Sequence, residues 1–147
     1  MKGEKMDHVV YLDAKSNELE NLLYNKKSMI IRGAMGRKIP YGKINIGDTL
    51  FFINNNAEGK IKAKGVVASV FNSEKMTKDE SMTLVKKHQD KLKLTAKQFK
   101  KWAGKRYIVL VEIRNIEKTH HFQFNRDAFK NKMDDWLTVE DIEKVKK

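Results

Sequence analysis

The stretch INIGDTLFFINN, residues 44–55, decides the fold of this chain of 147 residues. Its Gly47-Asp48 pair predicts a turn, and the apolar run LFFI that follows predicts a buried strand. Beyond the turn cluster NNNAEG, the segment KIKAKGVVASVF (residues 60–71) alternates lysines with apolar residues and predicts a second strand. Its apolar second half predicts that this strand passes from a half-exposed to a buried position.

Towards the N-terminus, two further apolar segments predict strands, HVVYL (residues 8–12) and SMIIR (residues 28–32). Leucines at helical spacing predict a helix between them, with Glu18 and Glu20 pointing away from the core.

Towards the C-terminus, two capping boxes predict the starts of two helices. They are Thr77 with Glu80 and Thr95 with Gln98. The segment RYIVLVEIRNI (residues 106–116) has the strongest strand pattern in the chain. We expect HHFQF (residues 120–124) to pair with it across a turn, and Thr138 to cap a final helix.

This order of elements favours an α+β fold. Most strands follow one another through short links, which favours antiparallel pairing and a mixed β-barrel with helices packed around it. No repeat, low-complexity tract or Pro/Ser-rich linker interrupts the pattern. We therefore expect a single domain spanning residues 1–147.

Three segments resemble an ASCH domain of the PUA-like β-barrel superfamily. They are residues 18–33, 44–55 and 86–113. In that family a Gly-x-Lys-x-x-Glu-x-Arg pattern is followed by a Gly-Asp turn. Lys27, Arg32, Gly47 and Asp48 match these positions, whereas Asn25 and Ile30 replace the glycine and the acidic residue.

The resemblance implies a PUA-like barrel with a cleft that receives RNA or a nucleotide-sized ligand. Some small members of the family are amidohydrolases that act on acetylated cytidine through a Lys, a Thr and a Glu. Lys27 fits the first of these, but Ile30 and Leu92 fall at the other two positions. Because these two side chains cannot donate a proton or orient water, we expect no catalytic residue, with Lys27 as the one weak candidate for a base.

The composition is strongly basic, with 31 Lys and Arg against 19 Asp and Glu and a formal net charge of +12. Such a surplus favours a polyanionic partner, although a surface made soluble by lysines stays an alternative. The absence of cysteine excludes disulfides, Cys-based zinc sites and thiol catalysis. No apolar stretch is long enough for a signal peptide or a membrane span, so we expect a cytoplasmic protein with no membrane partner.

The first basic segment is residues 26–43, which contains no acidic residue. We expect its glycines 33 and 36 to adopt positive φ and expose N–H groups to a phosphate, with arginines for bidentate contacts and Tyr41 for base stacking. No Walker A motif is present, which argues against NTP hydrolysis. The predicted nucleic-acid-binding residues here are Lys26, Lys27, Arg32, Gly33, Gly36, Arg37, Lys38, Tyr41 and Lys43.

The second basic segment is residues 86–106, with Asp90 as its one acidic residue. A solvated helix face is the commoner explanation for lysines in such a segment. If it lies beside the first segment, the two would form one phosphate-binding track. The predicted binding residues here are Lys97, Lys100, Lys101, Lys105 and Arg106.

The remaining polar and aromatic residues carry weaker signals. Trp102 is expected in the core, and Trp136 as a lid or a packing residue. The histidines are spaced unsuitably for a metal site, so we expect no metal and no other cofactor. Asp134 and Asp135 are expected to cap a helix or balance lysines.

These observations favour a non-catalytic RNA-binding or nucleotide-binding module with a basic cleft. Two alternatives stay open. One is an amidohydrolase-like enzyme that acts on a modified nucleoside with Lys27 as base. The other is a regulator that binds a small ligand or a protein.

Overall fold

The computed structural model describes residues 5–129 and 134–147. Six strands form one mixed sheet. They are β1 (Asp7–Leu12), β2 (Met29–Ala34), β3 (Thr49–Asn54), β4 (Lys60–Asn72), β5 (Tyr107–Gln123) and β6 (Trp136–Glu140). The helices are α1 (Glu18–Leu23), α2 (Lys78–Lys87), α3 (Gln89–Leu92) and α4 (Ala96–Trp102). Short 3-10 helices cover Ala14–Ser16, Arg126–Phe129 and Ile142–Val145.

The strands are ordered β2-β5-β4-β3-β1-β6 in the sheet. Strand β1 is parallel to β3, and the other neighbouring pairs are antiparallel. The sheet curls into a half-barrel against which the helices pack, which confirms the predicted α+β fold. No helix in the described ranges is both long and apolar enough to cross a membrane.

Apolar side chains pack on both faces of the curled sheet because successive strand residues point to opposite faces. In β2, Ile30 joins the inner cluster with Phe52 and Trp136, against which α1 packs. The next residue, Ile31, faces the outer cluster formed with helices α2 to α4, which includes Val85. Strands β2 and β5 therefore form the wall that holds these three helices.

Gly65 in β4 allows the close approach of β5 in the inner core. A Cβ atom there would lie 2.6 Å from Ile113 Cγ2 and 3.2 Å from Ile116 Cγ1. Because such overpacking is destabilising, we expect Gly65→Ala to lower the free energy of unfolding by about 1–3 kcal/mol in urea denaturation. Gly36→Ala is the matched control, since a Cβ at Gly36 meets no atom within 4 Å. Equal losses in the two variants would show that Gly65 is not a packing constraint.

The predicted hairpin over residues 106–124 is wrong, because β5 is one strand of 17 residues. It pairs with β4 from Asn72 opposite Val109 to Lys60 opposite Gln123. Register shifts between these points, together with Asn115 at φ 54°, absorb the extra residues as bulges. Continuous pairing with β4 therefore replaces the turn.

The predicted C-terminal helix capped by Thr138 is also wrong. Thr138 lies inside β6, which supplies the edge partner that β1 needs. The helical turn begins after Asp141, whose side chain caps the 3-10 helix Ile142–Val145. The second half of β4 is half-exposed rather than buried, since only Val67 and Val70 face the core there.

Candidate functional site

Two adjoining recesses lie beside helix α4. The first recess has a volume of about 430 Å³ and the second about 760 Å³. They share a wall made of Arg32, Lys101, Trp102 and Asp135. Strand β2 lies within the first basic segment and helix α4 within the second. The two segments therefore meet at one depression.

Most of the predicted binding residues line this depression. The first recess is lined by Gly33, Gly36, Lys38, Tyr41 and Lys105. The second recess is lined by Lys97 and Lys100, and both are lined by Arg32 and Lys101. Segments that are remote in sequence thus supply cations to the same surface.

Five predicted binding residues line neither recess. Lys26, Lys43 and Arg106 are exposed elsewhere, and Lys27 is buried. The exposed Arg37 lies over the rings of Tyr41 and Tyr107, 5.6 Å from each centroid. A role for these five residues in binding stays a prediction.

The expectation that Gly33 and Gly36 adopt positive φ is wrong. Gly33 lies within β2, and neither Gly33 nor Gly36 has positive φ. A Cβ at Gly33 would lie 3.1 Å from Lys105 Cβ, so this glycine instead lets Lys105 approach the strand. Within residues 26–43, only Gly42 has positive φ, at 71°.

Arg32 forms the floor between the recesses and is itself almost fully buried. Its Nη1 donates to the carbonyl oxygen of Ile31 at 2.8 Å, and its Nη2 donates to that of Tyr11 at 2.6 Å. Its guanidinium lies 5.6 Å from the ring centroids of both Trp102 and Trp136. Arg32 therefore joins β2 to β1 across the open side of the half-barrel, in addition to any contact with a ligand.

Asp135 is the counter-ion of Arg32. Its Oδ2 lies 3.2 Å from Arg32 Nε, but that N–H is not directed at the carboxylate well enough for a hydrogen bond. The neighbouring Asp134 lies 3.5 Å from Lys38 Nζ. Neither aspartate caps a helix as predicted, whereas both balance a cation.

Aromatic side chains form the walls of the first recess. The Tyr41 hydroxyl donates to the Ser73 carbonyl oxygen, and the Tyr41 ring meets Tyr107 edge-on, with 5.6 Å between centroids. Trp102 packs against the outer cluster. Lys101 Nζ lies over its ring, 4.8 Å from the centroid. Trp102 thus belongs both to the core and to the recess.

The second recess contains carboxylates that offset its lysines, Asp13 and Glu18. Burial acts to raise the pKa of the Asp13 carboxyl, but hydrogen bonds from Ser16, Lys15 and Gln98 outweigh it and lower that pKa below its ordinary value. Asp13 is therefore ionised at neutral pH. Cations outnumber carboxylates in both recesses, but the second recess offsets its cations with three carboxylates and the first with Asp135 alone.

Lys27 is sealed beneath the second recess rather than exposed to it. Its Nζ lies 2.7 Å from Glu18 Oε2, and Glu18 also accepts from the Asp13 N–H at 3.0 Å. The expectation that Glu18 points away from the core is wrong, because it is the buried partner of this ammonium. Ile30 and Leu92, the other positions of the amidohydrolase pattern, are both 0 % exposed.

The Gly-Asp turn is anchored by a buried network behind the floor. Asp48 Oδ2 lies 2.9 Å from His8 Nε2, and Asp48 also accepts from the N–H groups of Met6 and Asn45. Trp136 Nε1 donates to His8 Nδ1 at 3.2 Å, so His8 carries its proton on Nε2. This network holds Trp136 beneath Arg32, as a packing residue rather than a lid.

The recess residues that were not identified as such from the sequence include Asp135, Tyr107 and Trp102. Tyr107 opens the strongest strand directly after Arg106, and an aromatic residue beside a cation is a signal that could have identified it. In the described part of the chain, no three His, Asp or Glu side chains cluster as metal ligands would.

Comparisons with known proteins identify the fold. No protein-family model and no curated protein sequence matches this chain. Among solved structures, ASCH from Zymomonas mobilis is similar with a TM-score of 0.67 and 11% identity, covering 92% of this chain and 89% of that one. A single-residue mutant of the same Zymomonas mobilis protein gives a TM-score of 0.68 at 11% identity, covering 95% and 94%. The chain therefore has the ASCH-like, PUA-like α+β fold that the sequence resemblance predicted.

Proposed function

We propose that this chain is a non-catalytic module that binds RNA, or a nucleotide, in the depression beside α4. The observation that carries the proposal is the convergence of β2, with its following loop, and α4 on two recesses with a common wall. The first segment supplies Arg32 and Lys38 to these recesses, and the second segment supplies Lys97, Lys100, Lys101 and Lys105. The ASCH-like fold supports the proposal, because the resemblance implies a ligand-binding cleft on the barrel.

The first recess has the chemistry that a nucleotide requires. Tyr41, Tyr107 and Trp102 offer ring surfaces, and base–aromatic contacts are tolerant of sequence. Lys101 and Lys105 lie in the same recess and can neutralise phosphate. A volume of about 430 Å³ is within the usual range for small-ligand sites.

The lysines of α4 extend this site along the second recess. Lys97, Lys100 and Lys101 are three and four residues apart, so they share one side of the helix and project over the same opening. A polynucleotide chain with one nucleotide in the first recess would pass its adjoining phosphates over these ammonium groups. This arrangement favours RNA over a free nucleotide.

The enzymatic alternative has less support from the geometry. Lys27 has a side chain that is 2% exposed and paired with Glu18, and the two companion positions are core residues. The alternative of a small-ligand or protein-binding regulator requires cations that are scattered or a cleft that is closed. The recesses are instead open, and their cations come from both predicted segments.

Replacing the last-turn lysines of α4 tests the proposed function. We expect Lys100→Ala/Lys101→Ala to weaken binding of single-stranded RNA by about tenfold or more at low salt. The slope of log affinity against log salt should become less negative by about 1.4, which is about 0.7 for each of two lost phosphate contacts. Fluorescence anisotropy with a labelled RNA at several salt concentrations measures both quantities.

The matched control is Lys86→Ala/Lys87→Ala. These lysines also form an adjacent pair in the last turn of a helix, α2, but they line neither recess. Both variants lose the same charge, so equal effects would mean that net charge alone determines binding. That result, or no RNA binding by the unmodified chain, would overturn the proposed function.

A further inference from the structure

We infer that Asp135 selects the base that enters the first recess, and that it favours a base with an exocyclic amino group. This inference rests on the proposed function and names the ligand class of the same site. Asp135 lines both recesses, and its side chain is 45% exposed although its partner Arg32 is buried. A hydrogen-bond acceptor is therefore presented at the floor of a site whose other charged groups are cations.

The carboxylate of Asp135 can still accept a hydrogen bond from a ligand. Arg32 lies against Oδ2 without forming a directed hydrogen bond, and Oδ1 has no hydrogen-bond partner among the described residues. An ionised carboxylate accepts hydrogen bonds and donates none. A ligand group at this position must therefore donate.

The same carboxylate fixes the orientation of the ligand. A phosphate at the floor would meet the negative charge of Asp135, and the Nη donors of Arg32 already contact the carbonyl oxygens of Ile31 and Tyr11. Lys101 and Lys105 in the same recess accept the phosphate without that repulsion. The base therefore points towards Asp135 and the phosphate towards the lysines.

Cytosine and uracil provide the sharpest comparison, because they differ at the edge that would face Asp135. Cytosine presents an N4 amino group, a donor to Asp and Glu side chains in nucleic-acid recognition. Uracil presents O4 at that position, and a carboxylate repels this oxygen. The carboxylate of Asp135 thus discriminates between two rings of the same size.

The test measures affinities for oligocytidylate and oligouridylate of equal length by fluorescence anisotropy. We expect the unmodified chain to bind the cytosine oligomer about tenfold more tightly. In Asp135→Asn this ratio should fall towards one, because an amide can both donate and accept. A cytosine oligomer whose N4 carries two methyl groups should bind the unmodified chain as weakly as the uracil oligomer, which tests the inference without altering the protein.

Asp134→Asn is the matched control, since it removes the same charge one residue away from Asp135. The Asp134 carboxylate pairs with Lys38 and lines neither recess. It should leave the cytosine-to-uracil ratio unchanged. Equal binding of the two oligomers by the unmodified chain would overturn the selective role of Asp135 and leave the proposed function intact. A rise in affinity for both oligomers in both variants would reduce Asp135 to a repulsive charge. Failure of every oligomer to bind would overturn the proposed function itself.

Discussion

Replacing Arg32 with methionine should lower the free energy of unfolding by about 3 kcal/mol, because it removes two charged hydrogen bonds and leaves Asp135 without its cation. The two acceptors are the carbonyl oxygens of Ile31 and Tyr11, so the change also removes a bridge between β2 and β1. Trp102 and Trp136 would each lose a guanidinium contact. Equilibrium urea denaturation followed by tryptophan fluorescence measures the loss.

Two variants distinguish the contribution of the hydrogen bonds that join β2 to β1 from the contribution of the positive charge of Arg32. Arg32→Lys keeps the charge, but a single ammonium cannot reproduce the planar fork that reaches both carbonyl oxygens, so most of the loss should persist. Arg37→Met removes an exposed arginine that lies over Tyr41 and Tyr107, and it should cost less than about 1 kcal/mol. A loss in Arg32→Met no larger than that in Arg37→Met would mean that Arg32 does not close the half-barrel.

Features of the fold that depend on neighbouring residues could be predicted from the sequence. Both capping boxes form as expected, since the hydrogen bonds of Thr77 with Glu80 and of Thr95 with Gln98 stay within one helical turn. The strand β3 after the Gly-Asp turn also lies where its apolar run predicts. These signals are local, so no knowledge of the tertiary structure is needed to read them.

Features that depend on distant partners could not be predicted in this way. Strand β5 continues past the expected turn because β4 pairs with it along its whole length. Strand β6 forms in place of a helix because β1 has an edge available for it, and the short, mostly apolar run from Trp136 to Val139 suits either structure in isolation. Long-range pairing therefore overrides local propensity at both places.

The same distinction applies to the candidate site. The basic segments are visible in the sequence as runs of lysine and arginine without acidic residues. The carboxylates that modify them come from elsewhere in the chain, since Asp135 approaches Arg32 from the residue before β6 and Glu18 approaches Lys27 from the first turn of α1. A charged residue is expected on the surface when its partner is unknown. The location of the cations could thus be predicted, but their pairing could not.

The buried pair of Lys27 and Glu18 should show strong energetic coupling between its two side chains. Lys27→Met leaves a carboxylate without its cation beneath the second recess, and we expect a loss of about 3–5 kcal/mol in the free energy of unfolding. Glu18→Gln leaves the ammonium without its counter-charge, and a loss of similar size is expected. The amide oxygen of the glutamine can still accept from the Asp13 N–H, so the local turn is preserved.

The double variant Lys27→Met/Glu18→Gln measures the coupling between the two charges, separately from the cost of burying either one. It contains no uncompensated charge, so its loss should be smaller than the sum of the single losses by about 2–3 kcal/mol. A matched exposed pair, Lys64 with Glu117 at 3.7 Å, should show coupling below about 1 kcal/mol in the same urea experiment. Additive losses at Lys27 and Glu18 would contradict a purely structural pair. Hydrolysis of an acetylated nucleoside by the unmodified chain, lost in Lys27→Met but not in Lys64→Met, would instead assign Lys27 the catalytic role that its burial argues against.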